Sequence, residues 1–474
     1  MSDELKKIGE KSWVEAKKMW HIAGPAILCA VAQFSMEFVT VAFVGHLGDV
    51  ELAAVSVVQN VIEGFAFGVM LGLGSALETL CGQAVGAGQD RMLGIYMQRS
   101  WVIAFGTAFV LLPIYIFATQ ILKLLHQGDH ISEVAGKYCV WVIPQLFAYA
   151  LNFPLQKFFQ SQSKVWVMTI MSIVVFGIHT LLTWLLVVKL GHGLVGAAIA
   201  GNISWAILVL AQLLYVVSGY FPNAWTGFSM AAFKALFGFL KLSLASAVML
   251  WSVPSPLYLY WRNGKHSIGK LIGSVELLYN IKFLRLQLGA LVLHHIDSAG
   301  RRSKESRNRI GCSLNLAAKF SVVVAVTTSL FFGLIFTSAI LASGKQFPKL
   351  FTNKPAVVKE TSKLQYLLAA TIFLNSIQPV LHGVAIGAGW QSLIALISII
   401  CYYVFGLPIG ALLGFKFKIG VRGIWAGMFA GAFVQTLILV YILYRTNWQK
   451  EAVQAEERIR KWGGHTERPE TELT

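Results

Sequence analysis

Acidic side chains set inside long apolar stretches are the residues of this chain with the most chemistry to offer. Glu37 stands in the run Gln33-Phe-Ser-Met-Glu37-Phe-Val-Thr40. Spacings of three and four place Gln33, Glu37 and Thr40 on one helical face. Glu63 follows Asn60 by one helical turn and is expected to share a face with it. An ionisable group at bilayer depth is costly and is functional by default. A buried carboxylate whose proton affinity is raised by burial can take up a proton at one side of a membrane and release it at the other. The competing reading is a carboxylate hydrogen-bonded between helices, with no part in transport.

Glu78 differs, because it lies in a glycine-rich string, Gly72-Leu-Gly-Ser-Ala-Leu-Glu78-Thr-Leu-Cys-Gly82-Gln83-Ala-Val-Gly-Ala-Gly88. Its small residues permit close helix packing and a tight exit turn. Glu78 and Gln83 are expected to latch neighbouring loops by hydrogen bonds rather than to touch a substrate.

Prolines and aromatic residues mark the expected substrate pathway. Pro144, Pro154, Pro379 and Pro408 interrupt helical hydrogen bonding, and carbonyls freed in this way can face a cavity. Asn375, Gln378, Trp390, Tyr402 and Tyr403 offer hydrogen bonds and ring faces to a flat or cationic ligand. No catalytic constellation is legible. There is no phosphate-cradling Gly-Lys-Ser/Thr loop and no His-Glu-x-x-His, and His126 and His130 have no third ligand for a metal. The chain is expected to be no enzyme and to hold no cofactor or metal.

The elements that must position these residues are membrane helices. The chain has 474 residues, 56% hydrophobic and only 13% charged, against about 25% charged in soluble domains. The apolar residues fall in blocks near 21–44, 53–80, 100–122, 135–156, 165–189, 194–218, 234–254, 319–343, 364–385, 390–414 and 423–444. Each is about the 20 residues that cross a bilayer as a helix. These are eleven spans, with room for a twelfth between 255 and 318. The five scattered cysteines suggest no disulfide framework.

The formal charge of +17 is that of a protein facing anionic lipid, and nucleic acid is not an expected partner. Lys6, Lys7, Lys11, Lys17 and Lys18 precede the first span, and Arg445, Lys450, Arg458, Arg460 and Lys461 follow the last. Basic tails at both ends favour two cytoplasmic termini and an even number of crossings. Arg91, Lys157 and Lys164 then fall in inner loops, and Asp49, Glu51 and Asp129 in outer ones. Lys345, Lys349, Lys354, Lys416, Lys418 and Arg422 would lie outside, against the rule.

The spans repeat. Leu151-Asn152 heads a stretch ending at Trp166, and Leu374-Asn375 heads one ending at Trp390. Gly193-Leu-Val-Gly196 is matched by Gly420-Val-Arg-Gly423. The two matches share nearly one offset and indicate a duplication of about 225 residues. With six helices in each copy, the halves are parallel repeats about an axis along the membrane normal, and substrate sites in such proteins lie between them. The expected units are an N-terminal tail (1–20), a first lobe (21–218), a second lobe (219–444) and a C-terminal tail (445–474).

Several of these strings resemble the plant branch of the multidrug and toxic compound extrusion (MATE) family. They include Gly45-His-Leu-Gly48, the 72–88 string, Tyr96-Met-Gln-Arg-Ser-Trp101, Trp141-Val-Ile-Pro-Gln145, Asn375-Ser-Ile-Gln-Pro-Val380, Gly387-Ala-Gly-Trp-Gln391 and Cys401-Tyr-Tyr-Val-Phe-Gly-Leu-Pro408. The resemblance covers about 18–250 and 317–445. It implies an all-α fold of twelve helices in two six-helix bundles related by a pseudo-two-fold along the membrane normal. It also implies efflux or vacuolar loading of organic compounds by secondary antiport. The implied partners are a small organic substrate, protons in preference to sodium, and the lipid of the vacuolar or plasma membrane, with the chain acting as a monomer. Many bacterial relatives have an Asp at the position of Thr40, and here Glu37 is the nearest acid. An anion or ion channel on the same scaffold is the alternative.

One stretch departs from the family pattern. After Leu250 the family continues with a Leu-Glu pair whose acid is implied to be the second lobe's proton site, and this chain reads Trp251-Ser-Val-Pro-Ser-Pro256. Residues 252–316 hold ten Lys/Arg against three Asp/Glu, and each charge at bilayer depth opposes insertion. At Ala317-Ala-Lys-Phe-Ser321 the pattern resumes. Loss and resumption of this kind is what a shifted reading frame or a retained intron produces, and such a product would be open to the loss of coupled transport. A genuine divergent loop is the other reading.

Overall fold

The computed structural model describes residues 2–86, 88–125, 127–234, 236–251, 310–343 and 355–448, together with 450, 451, 454 and 457. The described residues form twelve principal helices. These are α1 (Ser2–Val44), α2 (Asp49–Val85), α3 (Arg91–Ile116), α4 (Asp129–Trp141), α5 (Ile143–Ser161), α6 (Val165–Lys189), α7 (Gly193–Val217), α8 (Leu236–Trp251), α9 (Ile310–Ser343), α10 (Pro355–Gly387), α11 (Gln391–Lys416) and α12 (Val421–Arg445). Among the described residues, nine helices or helix portions are long and apolar enough to cross a membrane, and ten crossings result if the bent pair α4 and α5 makes one. The expected seventh span is α8, whose described apolar part is Leu236–Ala245. The room for a further span falls largely on 252–309, outside the described residues.

Local chemistry explains the irregularities. α4 and α5 meet at 52°, where Pro144 removes an N–H and its ring opposes the carbonyl one turn earlier. Pro154 and Pro379 sit inside continuous helices. Three spans widen into π-helix, at Val58–Glu63 in α2, Trp184–Lys189 in α6, and Ile400–Gly406 and Leu412–Lys416 in α11. Such bulges are local strains found often at functional sites.

α11 and α12 approach most closely. Gly406, Gly410 and Gly414 on one face Gly423, Gly427 and Gly431 on the other, all at spacings of four. A Cβ at Gly423 would lie 2.6 Å from the Leu413 carbonyl carbon, and one at Gly410 3.0 Å from the Ile424 oxygen. In lipid, where burial of apolar side chains drives nothing, contact of this kind holds helices together.

The first lobe encloses a single large cluster of buried residues, which runs from Ala23 to Val216 and takes in Phe221, Ala224 and, from α8, Phe239. In the second lobe the described buried residues form three small clusters. Trp20, before the first crossing, and Trp448, after the last, pack against the same cluster of Ala325, Val380 and Val384, so the first crossing begins and the last ends at one face. This is the terminal face. Cys29, Cys81, Cys139 and Cys401 are free and buried.

Candidate transport site and lobe closure

Glu63 ends the π-segment of α2 and is buried, 7% exposed. Its Oε1 has no hydrogen-bond partner. The carboxylate lies within electrostatic reach of Glu37 on α1 and of three phenols, Tyr115 on α3, Tyr138 on α4 and Tyr149 on α5. The hydroxyl of Tyr115 is likewise buried and unpartnered. Two acids and three phenols from five helices thus converge inside the first lobe.

The expected shared face of Asn60 and Glu63 is not formed: Asn60 is exposed and Glu63 buried. The π-segment supplies the reason. Its wider turn advances each residue by a smaller angle than an α-helix, so a spacing of three no longer brings side chains together.

The Gln33, Glu37 and Thr40 face is formed as a regular helix requires. Gln33 Nε2 donates to Ser172 Oγ at 3.3 Å, and its Oε1 accepts from Gln156 at 2.9 Å. Thr40 Oγ1 lies 3.1 Å from His179 Nε2, and His179 Nδ1 lies 3.0 Å from Ser204 Oγ. Glu37, between them, is half-buried. These bonds tie α1 to α5 and α6, and through His179 to α7.

The second lobe is held by a chain of amides. Gln378 Nε2 donates to Gln435 Oε1 at 2.7 Å and to Tyr402 Oη at 3.2 Å. Gln435 Nε2 donates to Ser398 Oγ at 2.7 Å and lies 3.1 Å from His382 Nε2. Tyr403 and Asn375 are half-buried beside this network, and Pro379 is buried next to Gln378. The first lobe has a simpler counterpart, Gln212 Nε2 to Asn152 Oδ1 at 3.2 Å. Gln212 is separated from Gln435 by the offset of the duplication, whereas Asn152 corresponds to Asn375 and not to Gln378, so one member of the pair follows the repeat.

Glu78 and Gln83 part company. Gln83 Nε2 donates to the Gly387 carbonyl of the other lobe at 3.1 Å. Glu78 turns inward and pairs with Lys157 Nζ at 2.7 Å, with side chains 14% and 4% exposed. Lys157 is therefore no loop residue, as its charge suggested; it lies inside α5, where Glu78 and Gln160 Oε1 satisfy its ammonium. A residue the sequence did not mark also fastens the lobes. Thr79 Oγ1 donates to the Ile386 carbonyl at 2.7 Å and accepts from Gln391 Nε2 at 2.5 Å.

Other functional candidates also escaped the sequence reading. His179 and His382, 2% and 5% exposed, satisfy the same rule that picked out the acids, since an imidazole inside a span is ionisable too. The three tyrosines around Glu63 gave no signal, because phenols in spans are commonplace. Among the described residues, no group of three His, Cys, Asp or Glu is placed to hold a metal ion.

The MatE family model matches residues 25–185 and 308–412. Protein DETOXIFICATION 33 of Arabidopsis thaliana is 50% identical over 97% of this chain and 93% of its own length. Protein DETOXIFICATION 29 of the same plant is 46% identical over 95% of this chain and 89% of its own length. The crystal structure of the eukaryotic MATE transporter AtDTX14 covers 94% of this chain and 99% of its own, with a TM-score of 0.84 at 30% identity. The Vibrio cholerae MATE transporter VcmN in its bent form shares the fold at a TM-score of 0.71 and 18% identity, over 95% of this chain and 99% of its own. The chain, a multi-pass membrane protein and not an enzyme, therefore belongs to the MATE family of multidrug and toxic compound extrusion transporters.

Proposed function

We propose that this transporter exports organic compounds in exchange for protons, and that Glu63 and Glu37 form the proton site. The observation that carries the reading is the buried Glu63 carboxylate with one oxygen unpartnered, within reach of a second acid and three phenols. A carboxyl group of this kind binds a proton when water reaches it from the acidic side. It gives the proton up when a cationic or flat substrate and the opposite solution compete for the site. The lobes rock about the fastening at the terminal face, which basic tails place in the cytoplasm. Gln378, Tyr402 and Tyr403, with Asn375 and Pro379, line the second lobe's share of the pathway, and Gln33, Thr40 and Asn60 the first lobe's. Gln83 latches the lobes, and Glu78 braces the latch from within its own lobe. The transporter works as a monomer in the vacuolar or plasma membrane.

Vesicles holding the purified chain, with an imposed pH gradient, test this. Glu63→Gln is expected to lower gradient-driven flux of an organic cation at least tenfold, about 1.4 kcal/mol or more in the coupled step. Flux that survives both Glu63→Gln and Glu37→Gln would overturn the assignment.

A second reading concerns this chain in particular and rests on where the family model stops. Its second match begins at 308, which the duplication equates with about residue 83 of the first. The counterpart of the first lobe's opening helices, 252–307, is thus unmatched, as a shifted reading frame or retained intron would leave it. Sequencing the transcript across 245–320 decides the matter. A transcript that restores the Leu-Glu pair after Leu250 supports an aberrant product, and transcripts that all encode the present residues, with no intron boundary in the gene across 245–320, refute it.

A further inference from the structure

We infer that Trp448 and Glu451, beyond the last span, position the loop whose hydrogen bonds fasten the two lobes together. Trp390 stands at that loop, between Gly387 and Gln391. Its indole Nε1 donates to Glu451 Oε2 at 3.1 Å, and its ring stacks on Trp448 at a centroid distance of 6.3 Å and 29°. Trp448 in turn packs on Ala325, Val380 and Val384, so the tail is anchored to α9 and α10 and does not merely brush the loop.

The next residue makes the connection to the lobe closure. Gln391 Nε2 donates to Thr79 Oγ1 of α2 and to the Ile386 carbonyl at 3.1 Å. Thr79 returns its own hydrogen to Ile386 O, and Gln83 reaches Gly387 O. Every one of these interlobe bonds ends on the short stretch that holds Trp390. Holding the indole fixes the backbone from Ile386 to Gln391, and that backbone presents the acceptors and the amide that α2 needs. Hydrogen bonds of modest individual strength gain from such preorganisation, because the loop is already ordered before the lobes meet.

The duplication provides an internal control. Trp166 is the first lobe's counterpart of Trp390 by the offset of the repeat, and it is 48% exposed. By the same offset the counterpart of Trp448 is Trp225, and it packs on Trp101 of α3. The segment that follows the first lobe is fastened to α3 as well, by Gln98 Nε2 to Gly227 O at 2.8 Å and Arg99 Nη2 to Ala231 O at 3.1 Å. One lobe therefore uses its trailing tryptophan in helix packing. The other uses it in the closure.

The inference rests on the proposed rocking of the lobes only in what the closure is for; its test needs neither substrate nor gradient. Hydrogen–deuterium exchange would be followed on the purified full chain and on Trp448→Ala and Glu451→Gln variants. Trp448→Ala is expected to speed exchange on the order of tenfold at 384–391 and also at 78–86, across the lobe boundary. Glu451→Gln, which keeps the side chain's size, should do the same to a smaller degree. Thr79→Val should speed both segments, and adding Trp448→Ala to it should bring little further change at 78–86. Faster exchange confined to 384–391 and the tail, with 78–86 unaltered, would overturn the inference. A failed lock would leave the proton site untouched, and a failed proton site would leave the exchange pattern as predicted.

Discussion

The two lobes descend from one pattern yet satisfy their buried polar groups differently. In the second lobe, Gln378, Gln435, Ser398, Tyr402 and His382 form a continuous network, and Gln435 engages three of the others. In the first lobe the amide pair of Gln212 and Asn152 makes one bond and leaves Asn152 Nδ2 and Gln212 Oε1 unpartnered, and Glu63 Oε1 is unpartnered too. Unsatisfied buried polar atoms are costly and persist where a function needs them. Around Glu63 and the Asn152–Gln212 pair the first lobe keeps polar atoms available, while its Gln33 and Thr40–His179 bonds, like the second lobe's network, hold helices in register.

Charge separates the lobes most strongly. Lys157 and Glu78 are buried together in the first lobe, and Lys157→Met should destabilise the protein by about 3–5 kcal/mol because it strands the carboxylate. The double variant Lys157→Met with Glu78→Gln should recover most of that loss in a thermal unfolding measurement in detergent. A double variant no more stable than the single would show that the two charges do not depend on each other.

Packing comes next. Gly427→Leu should separate α11 from α12 at a cost on the order of 1–3 kcal/mol, since the new side chain meets the Gly410 backbone. Gly177→Leu on α6 has open space around it and should be nearly neutral. Equal effects on the melting temperature would remove the claim that glycines set the second lobe's close helix approach.

The amides follow, and one of them gives the smallest effect. Gln435→Leu breaks the bonds of a hub and should lower stability by about 1–3 kcal/mol. Gln212→Leu breaks one bond and should cost about 0.6 kcal/mol, near the average for an interhelical hydrogen bond in a membrane. The reverse order would contradict the division of labour between the lobes.

Much of this was legible beforehand, for definite reasons. A crossing helix needs a long apolar block, so the spans could be read by length alone, and α8 through Trp251 fell where expected. The face of Gln33 and Thr40 was legible because α1 stays regular there. Asn60 was misplaced because a π-segment changes the angular step, and no residue in Val58–Glu63 announces it. Lys157 was misread because charge argues for a loop unless its partner is known, and Glu78 lies on a different helix, α2, far earlier in the chain. The Thr79 contact could not be foreseen, since it depends on how two lobes meet.

The central claim is that Glu63 couples protons to substrate movement without being needed for the lobes to rock. Vesicles with Glu63→Gln would be compared with the parent chain in two assays, substrate exchange at equal pH on both sides and uphill uptake driven by a pH gradient. The account predicts exchange near the parent rate with uphill uptake lost. Uphill uptake at the parent rate would contradict it.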